Sequence, residues 1–245
     1  MGLELVKRLV DTDVELYIIN RGNSYWNGKF FEIINGKNCK HIKLDRNDHK
    51  FSQSIKELGL FFDYIIDFTC FERSDVDNLF EGLEYKFRNY IFISTDSVYN
   101  ACDIGINRND EYFFNNAYIP LVCEEDAICS DREKGKKRDS YGYNKYKCEK
   151  RIIEKLNGRD ISYYFLRLPD VIGEFDETYR IWYYVEWLRY INILPIEVEN
   201  IDEVRKLSFV YSSDVCSIII SLLEGNKTPG IYNIANTETL TLVEM

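Results

Sequence analysis

The sequence predicts an α/β protein built on a doubly wound parallel sheet. Three observations predict it. Short apolar, strand-like runs alternate with amphipathic helical stretches along most of the chain. A glycine, a helix, a strand and a polar tip open it in that order, as in the second half of a βαβ nucleotide-binding unit. A strand ending in hydroxyls at Ser94 and Thr95 then precedes a helix that carries Tyr141 and Lys145. With 245 residues, 45% hydrophobic and 29% charged, the chain suits one globular domain with a small additional lobe.

The totals exclude several function classes. The longest apolar run, Ile218 to Leu223, is too short to span a bilayer, and Met1 to Arg8 does not read as a signal peptide, so a soluble cytoplasmic protein is expected. Seven scattered cysteines without a Cys-x-x-Cys pair indicate neither a disulfide framework nor a zinc site. With only His41 and His49 in the chain, no metal site and no histidine triad is expected. A net charge of −10 argues against a nucleic-acid surface, although Lys134 to Arg138 forms a local basic patch.

In chain order, Leu3, Val6, Leu9 and Val10 form the apolar side of a helix beginning at Gly2. Val14, Leu16 and Ile18 alternate into a strand that stops at Asn20-Arg21-Gly22. Arg21 follows Gly2 by 19 positions, matching the residue about 20 beyond the last fingerprint glycine that meets the adenosine ribose. No carboxylate stands there to bind a free 2′-hydroxyl. Asn20 and Arg21 suit a 2′-phosphate instead, which favours NADP over NAD, although the same residues also make an ordinary solvated turn. If Gly2 is that last glycine, the first strand and two glycines belong before Met1, so a truncated product that folds poorly and binds dinucleotide weakly is expected.

His41 to Leu44 reads as a second strand, and Asp45 and Arg46 at its end suit the amino group and face of an adenine. A helix over roughly 50–58, a buried strand from Tyr64 to Cys70 and a helix through Val76, Leu79, Phe80 and Leu83 follow. Asn89 to Tyr99 reads as a strand whose apolar body ends in Ser94, Thr95, Asp96 and Ser97, the end at which open α/β sheets place ligands. Residues 100–139 read as a polar loop, and Trp182, Tyr183, Tyr184, Trp187 and Tyr190 as an aromatic stripe at helical spacing, of the kind that packs a small lobe or stacks a base. Thr239 to Met245 resembles the start of a helix.

Tyr141 and Lys145 lie four apart on a helix continued by Ile152, Ile153 and Leu156, so phenol and ammonium share one face. A phenol titrates near ~10 in water, and a neighbouring cation favours its phenolate, which makes it a proton carrier for a substrate hydroxyl or carbonyl. Tyr143 and Lys147 repeat the spacing two residues later.

Together these residues resemble the extended and atypical short-chain dehydrogenase/reductases, the NAD-dependent epimerase/dehydratase group with a Rossmann-type sheet. The resemblance rests on Ser94-Thr95-Asp96-Ser97-Val98-Tyr99, on Tyr141-Gly142 through Lys145 to Glu149, and on Asn20-Arg21-Gly22 with Asp45 to Asp48. Leu166 to Gly173 is similar to the nicotinamide-side strand and loop, and Phe209-Val210-Tyr211 with Tyr232 to Ala235 to the substrate lobe.

It implies a cofactor domain over 1–165 that lacks its first strand, and a region over 166–245 that supplies the last strands and a small substrate lobe. It implies that Thr95 holds a substrate oxygen, Tyr141 is acid or base, and Lys145 lowers the Tyr141 pKa and binds the nicotinamide ribose. NADP, or else NAD, would be held by Gly2, Asn20, Arg21, Asp45, Arg46, Phe68, Thr69, Lys145, Pro169 and Val171. A small-molecule substrate such as a nucleotide sugar and a homodimer are also implied. Ser97 stands where the dehydratases of the group carry Glu, which weighs against elimination, and Glu174 follows Gly173 where Pro is usual. The alternatives are a non-catalytic NADP-binding relative of regulatory, RNA-binding or protein-binding type, and an inactive fragment.

Overall fold

The computed structural model describes residues 1–23, 29–35, 37–103, 122–130, 132–174, 176, 178–190, 206–225, 227–241 and 244. The chain forms two compact units, each assembled from several stretches. The first comprises Met1–Ile93, Lys147–Phe165 and Val215–Gly230; the second comprises Ser94–Tyr146, Leu166–Asp214 and Ile231–Met245.

In the first unit α1 (Gly2–Leu9) leads to β1 (Leu16–Asn20), and after α2 (Lys29–Ile34) comes β2 (Cys39–Lys43). β1 and β2 pair in parallel, with Leu16 opposite Cys39 and Asn20 opposite Lys43. The predicted helix over 50–58 is α3 (Phe51–Glu57), and β3 (Phe62–Asp67) ends three residues earlier than the sequence pattern predicts. The reason is local: the Asp67 carboxylate accepts the Thr69 amide at 3.0 Å, turning the chain out of the sheet before Cys70.

α4 (Arg73–Leu83) opens with a capping box between Glu72 and Asp75 and buries Val76, Leu79, Phe80 and Leu83, one side of a helix at its natural period. β4 (Phe87–Thr95) pairs in parallel with β3, Phe62 opposite Phe87 and Asp67 opposite Phe92. The strand order is β1-β2 in one sheet and β3-β4-β5-β8 in another, where β5 is Ser162–Leu168 and β8 is Gly230–Asn233. The pairs β1-β2 and β3-β4 are parallel, as in a doubly wound Rossmann-type fold. β4 and β5 are buried over most of their length, whereas β1 is partly accessible at every position and β3 at every position except Asp67.

The second unit carries α5 (Ser97–Ala101), a 3₁₀ turn at Glu124–Asp126, and α6 (Arg132–Arg138). Two readings change here. The strand expected as far as Tyr99 ends at Thr95, because the Thr95 hydroxyl accepts the Ser97 amide at 3.2 Å and starts α5. The polar loop expected over 100–139 contains α6, while 104–121 and 131 lie outside the described residues. β6 (Asp170–Ile172) pairs in parallel with β7 (Phe209–Tyr211). α8 (Arg180–Arg189) carries the aromatic stripe, with Trp182 and Tyr183 exposed and Tyr184 and Trp187 half-buried.

Near the end, Leu240 bridges Leu207, and Thr241 and Glu244 exchange capping-box bonds, the arrangement with which helices begin. α7 (Ser140–Leu156) buries Cys148, Ile152 and Leu156, and α9 (Ser212–Leu223) buries Val215, Cys216, Ile219 and Leu222.

Candidate active site

The start of α7 is fixed by its sequence. The Asp139 carboxylate accepts the Gly142 amide at 2.8 Å, an N-terminal cap that satisfies one of the helix's unpaired donors. Gly142 then permits an unusually close approach. A Cβ on it would lie 1.9 Å from the Ser97 carbonyl oxygen and 2.5 Å from its carbon, so the helix backbone rests directly on the backbone at the start of α5. Thr95 stands two residues before Ser97, and Tyr141 stands beside Gly142. This contact therefore joins the two chain segments that hold the predicted hydroxyl and phenol.

Burial separates the two Tyr-x-x-x-Lys pairs. Tyr141 is 46% exposed, whereas Tyr143 is 7% exposed and packs on the other side of the helix, 3.1 Å from where a Gly135 Cβ would stand. A phenol sealed in the core cannot exchange a proton with a small substrate, so the geometry favours Tyr141. Lys145 is buried at 2% exposure, one helical turn from Tyr141 and one from the equally buried Glu149. The Val98, Tyr99, Cys102 and Ala127 core, with Tyr146 against it, seats α5 under this helix.

Thr95, the last residue of β4, is 8% exposed, and its hydroxyl reaches Asp96 Oδ1 at 3.4 Å. Burial raises the Asp96 carboxyl above its ordinary range and the neighbouring Asp170 carboxylate adds to this, against the hydrogen bond from Thr95. Asp96 and Thr95 are thus an acid and a hydroxyl in contact at a strand end. Pro169 and Val171 are half-buried, with Val171 on β6 opposite Val210.

In the first unit the remaining predicted residues lie at strand ends. Asn20 closes β1, its Oδ1 accepting the Gly22 amide at 2.7 Å and meeting His41 Nε2 at 2.9 Å. Burial lowers the His41 pKa and the Lys43 charge lowers it further, so the ring is neutral near pH 7 and its Nε2 carries the donating proton. Gly22 has φ +72°, the left-handed conformation glycine adopts without cost.

Arg21 is exposed and makes no hydrogen bond or ion pair among the described residues. Asp45 turns back to accept the Asn47 amide at 2.9 Å. Gly2 opens α1, and a Cβ there would meet no atom within 4 Å. Arg46 is not splayed over open space. Its guanidinium forks onto Asp67 at 2.9 and 2.5 Å and reaches the Thr69 hydroxyl at 3.3 Å, while Phe68 beside it is half-buried.

Sequence reasoning missed Asp67 and a second buried web. Asp67 also accepts the Tyr90 phenol at 2.8 Å. Burial opposes its ionisation, but Arg46, Tyr90 and the Thr69 amide outweigh that and hold the carboxyl below its ordinary range. In the second unit buried Arg167 donates to the Tyr99 phenol at 2.9 Å and to the Glu124 carbonyl at 2.8 Å; Tyr99 donates to Asn233 at 2.6 Å. The Asn233 amide in turn meets the Glu124 carboxylate at 2.7 Å. The sequence carried half of the signal for Asp67, a carboxylate at the end of an apolar run that needs a partner, but not which residue supplies it.

No protein-family model matches the chain, and no curated protein matches it. Solved structures do. The UDP-N-acetylglucosamine 4-epimerase of Methanobrevibacter ruminantium, in complex with UDP-N-acetylmuramic acid, is 18% identical, with a TM-score of 0.66 over 99% of this chain and 75% of that one. The UDP-glucuronic acid 4-epimerase of Bacillus cereus, in complex with UDP-glucuronic acid and NAD, is 16% identical, with a TM-score of 0.68 over 99% and 76%. The UDP-glucose 4-epimerase of Thermotoga maritima, with UDP-glucose, is 16% identical, with a TM-score of 0.66 over 99% and 76%. The chain shares the Rossmann-type fold of these UDP-sugar 4-epimerases.

Proposed function

We propose that this protein is a nicotinamide-dinucleotide-dependent epimerase or oxidoreductase acting on a hydroxyl or keto group of a nucleotide-sugar-like substrate. One observation carries the reading: an accessible Tyr141 phenol, one turn from a buried Lys145, on a helix whose Gly142 is pressed against the backbone two residues beyond Thr95. The structural relatives, crystallised with UDP-sugars or NAD, support the substrate class and the cofactor.

The chain's donor set fits a dinucleotide. An exposed arginine, a carboxylate and a half-buried aromatic stand at the carboxyl ends of β1, β2 and β3. Gly2, Asn20, Arg21, Asp45, Arg46, Phe68 and Thr69 are assigned to its adenosine and phosphate side, and Pro169, Val171 and Lys145 to its nicotinamide side. Arg21 without an acidic neighbour favours NADP, although the relatives crystallised with the cofactor hold NAD. The dinucleotide, when bound, supplies the hydride acceptor. Tyr141 takes the proton from the substrate hydroxyl, Thr95 holds the same oxygen, and Lys145 stabilises the phenolate that must be present before transfer. Return of that proton from Tyr141 to the carbonyl oxygen, paired with return of the hydride to the opposite face of the carbon, would complete an epimerisation; the same proton delivery paired with hydride from the reduced dinucleotide would complete a reduction.

The test is Tyr141→Phe, which keeps the ring and removes the proton carrier. Turnover of UDP-sugars should fall by at least about 10²-fold, the ordinary contribution of a positioned acid–base group, with dinucleotide affinity retained. Normal turnover in this variant would end the proton-transfer assignment.

A further inference from the structure

The Asp67 carboxylate has no capacity left for a ligand. Its Oδ1 accepts Arg46 Nη1 and the Thr69 amide, and its Oδ2 accepts Arg46 Nη2 and the Tyr90 phenol, which uses the four acceptor positions of a carboxylate. The group is 5% exposed and sits at the end of β3. Such a residue acts through its partners. Those partners are Arg46 and Thr69, on the two segments assigned above to the adenosine side.

The same bonds decide what Arg46 can offer. The end-on fork of Arg46, one N–H of each terminal nitrogen, goes to Asp67 and a second Nη1 N–H goes to Thr69, so what it can present to a ligand is its flat face and the Nε edge. Arg21, by contrast, is exposed with its whole guanidinium available. The two arginines at these strand ends are therefore not equivalent, and Asp67 makes them so.

We propose that Asp67 is a positioning residue that locks the Asp45–Arg46 segment to the Phe68–Thr69 turn as one rigid edge for the adenine, and thereby leaves recognition of a 2′-phosphate to Arg21 alone. This rests on the dinucleotide reading above. It assigns Asp67 no direct contact with the cofactor.

The experiment is calorimetric titration of wild type, Asp67→Asn and Arg21→Ala with two probes, ADP-ribose and 2′-phospho-ADP-ribose. Asp67→Asn should weaken both probes by about tenfold, the scale of lost charge-assisted hydrogen bonds, and leave their ratio unchanged. Arg21→Ala should change the ratio, weakening 2′-phospho-ADP-ribose more than ADP-ribose. Hydrogen exchange supplies the structural readout: in Asp67→Asn the Thr69 amide should lose its protection while β4 keeps its own.

Wild-type affinities in a cooperatively melting Asp67→Asn protein would overturn the inference while leaving the dinucleotide reading intact. A shifted ratio in Asp67→Asn would overturn the division of labour between the arginines. A wild-type protein that bound neither probe would overturn the dinucleotide reading and this inference with it. Should Asp67→Asn fail to fold, Arg46→Lys removes the fork from the other side, with the same expectations for affinity and ratio.

Discussion

Replacing Gly142 by alanine sets two physical effects against each other with opposite signs. Within a helix, glycine is roughly 1 kcal/mol worse than alanine, so propensity alone predicts that Gly142→Ala stabilises the protein. The packing predicts the reverse. The new Cβ would sit 1.9 Å from the Ser97 carbonyl oxygen, and real Cβ contacts essentially never fall under 3.0 Å, so the two backbones must separate by about 1.1 Å. The obstacle is backbone, which cannot turn aside as a flexible side chain would. Overpacking of this kind costs typically about 1–3 kcal/mol, enough to cancel the propensity gain and leave a net loss.

The functional cost follows from the same displacement. Tyr141 and Thr95 lie on opposite sides of the contact, and a misplacement of about 1 Å between reacting groups costs on the order of 10²-fold in rate. Thermal denaturation and UDP-sugar turnover of Gly142→Ala, measured together, should therefore show a lower Tm and a turnover lower by about that factor. A higher Tm with undiminished turnover would refute the argument that this contact sets the spacing of the site.

Three further outcomes are expected. Asp139→Ala removes the cap on the Gly142 amide and should cost about 1 kcal/mol in denaturant unfolding, with no change in dinucleotide affinity. Arg21→Ala should reduce affinity for NADP more than for NAD, read by titration with each. Asp67 has a folded-state pKa below its unfolded value of about 3.9, so its contribution to stability is fully present above that pH and is lost as pH falls through the folded pKa. The stability difference between wild type and Asp67→Asn should accordingly be constant from neutral pH down to about 4 and shrink below it; a difference that grew on acidification would contradict the ion pair.

Much of this architecture was legible because the apolar spacing has few competing interpretations. Val76, Leu79, Phe80 and Leu83 match a helix face, and the short, aromatic and β-branched Tyr90–Ile93 run suits a buried strand. Tyr141 and Lys145 were visible for the same reason: spacing by four on a helix is readable without tertiary structure. Strand ends were less legible. β3 and β4 both stop where a side chain captures a backbone amide, Asp67 at Thr69 and Thr95 at Ser97, and apolar patterning does not encode such local captures. The family resemblance singled out Tyr141 over Tyr143, but the burial that distinguishes the two phenols depends on where α6 lies, and α6 falls in a stretch whose basic residues carry no apolar period. The engagement of Arg46 by Asp67 was hidden because the two are 21 positions apart, and only strand order brings them together.

The discontinuity between β1 and β3 has a consequence for local unfolding. Among the described residues β1 pairs only with β2, so that two-stranded ribbon connects to the β3 side through side chains, notably the edge-to-face contact of Tyr17 with Phe62 at 5.4 Å and the Arg46 to Asp67 fork. Two-stranded ribbons are marginal by themselves, and backbone groups on an unpaired edge must be hydrated. The ribbon should open in native-state amide exchange well before the neighbouring strands do, with 16–20 and 39–43 exchanging ahead of 87–95; equal protection across all three would show that something else clamps it. On this account the Arg46 to Asp67 fork is what holds the β1-β2 ribbon's carboxyl end to the turn after β3, and its loss should speed exchange in the ribbon first.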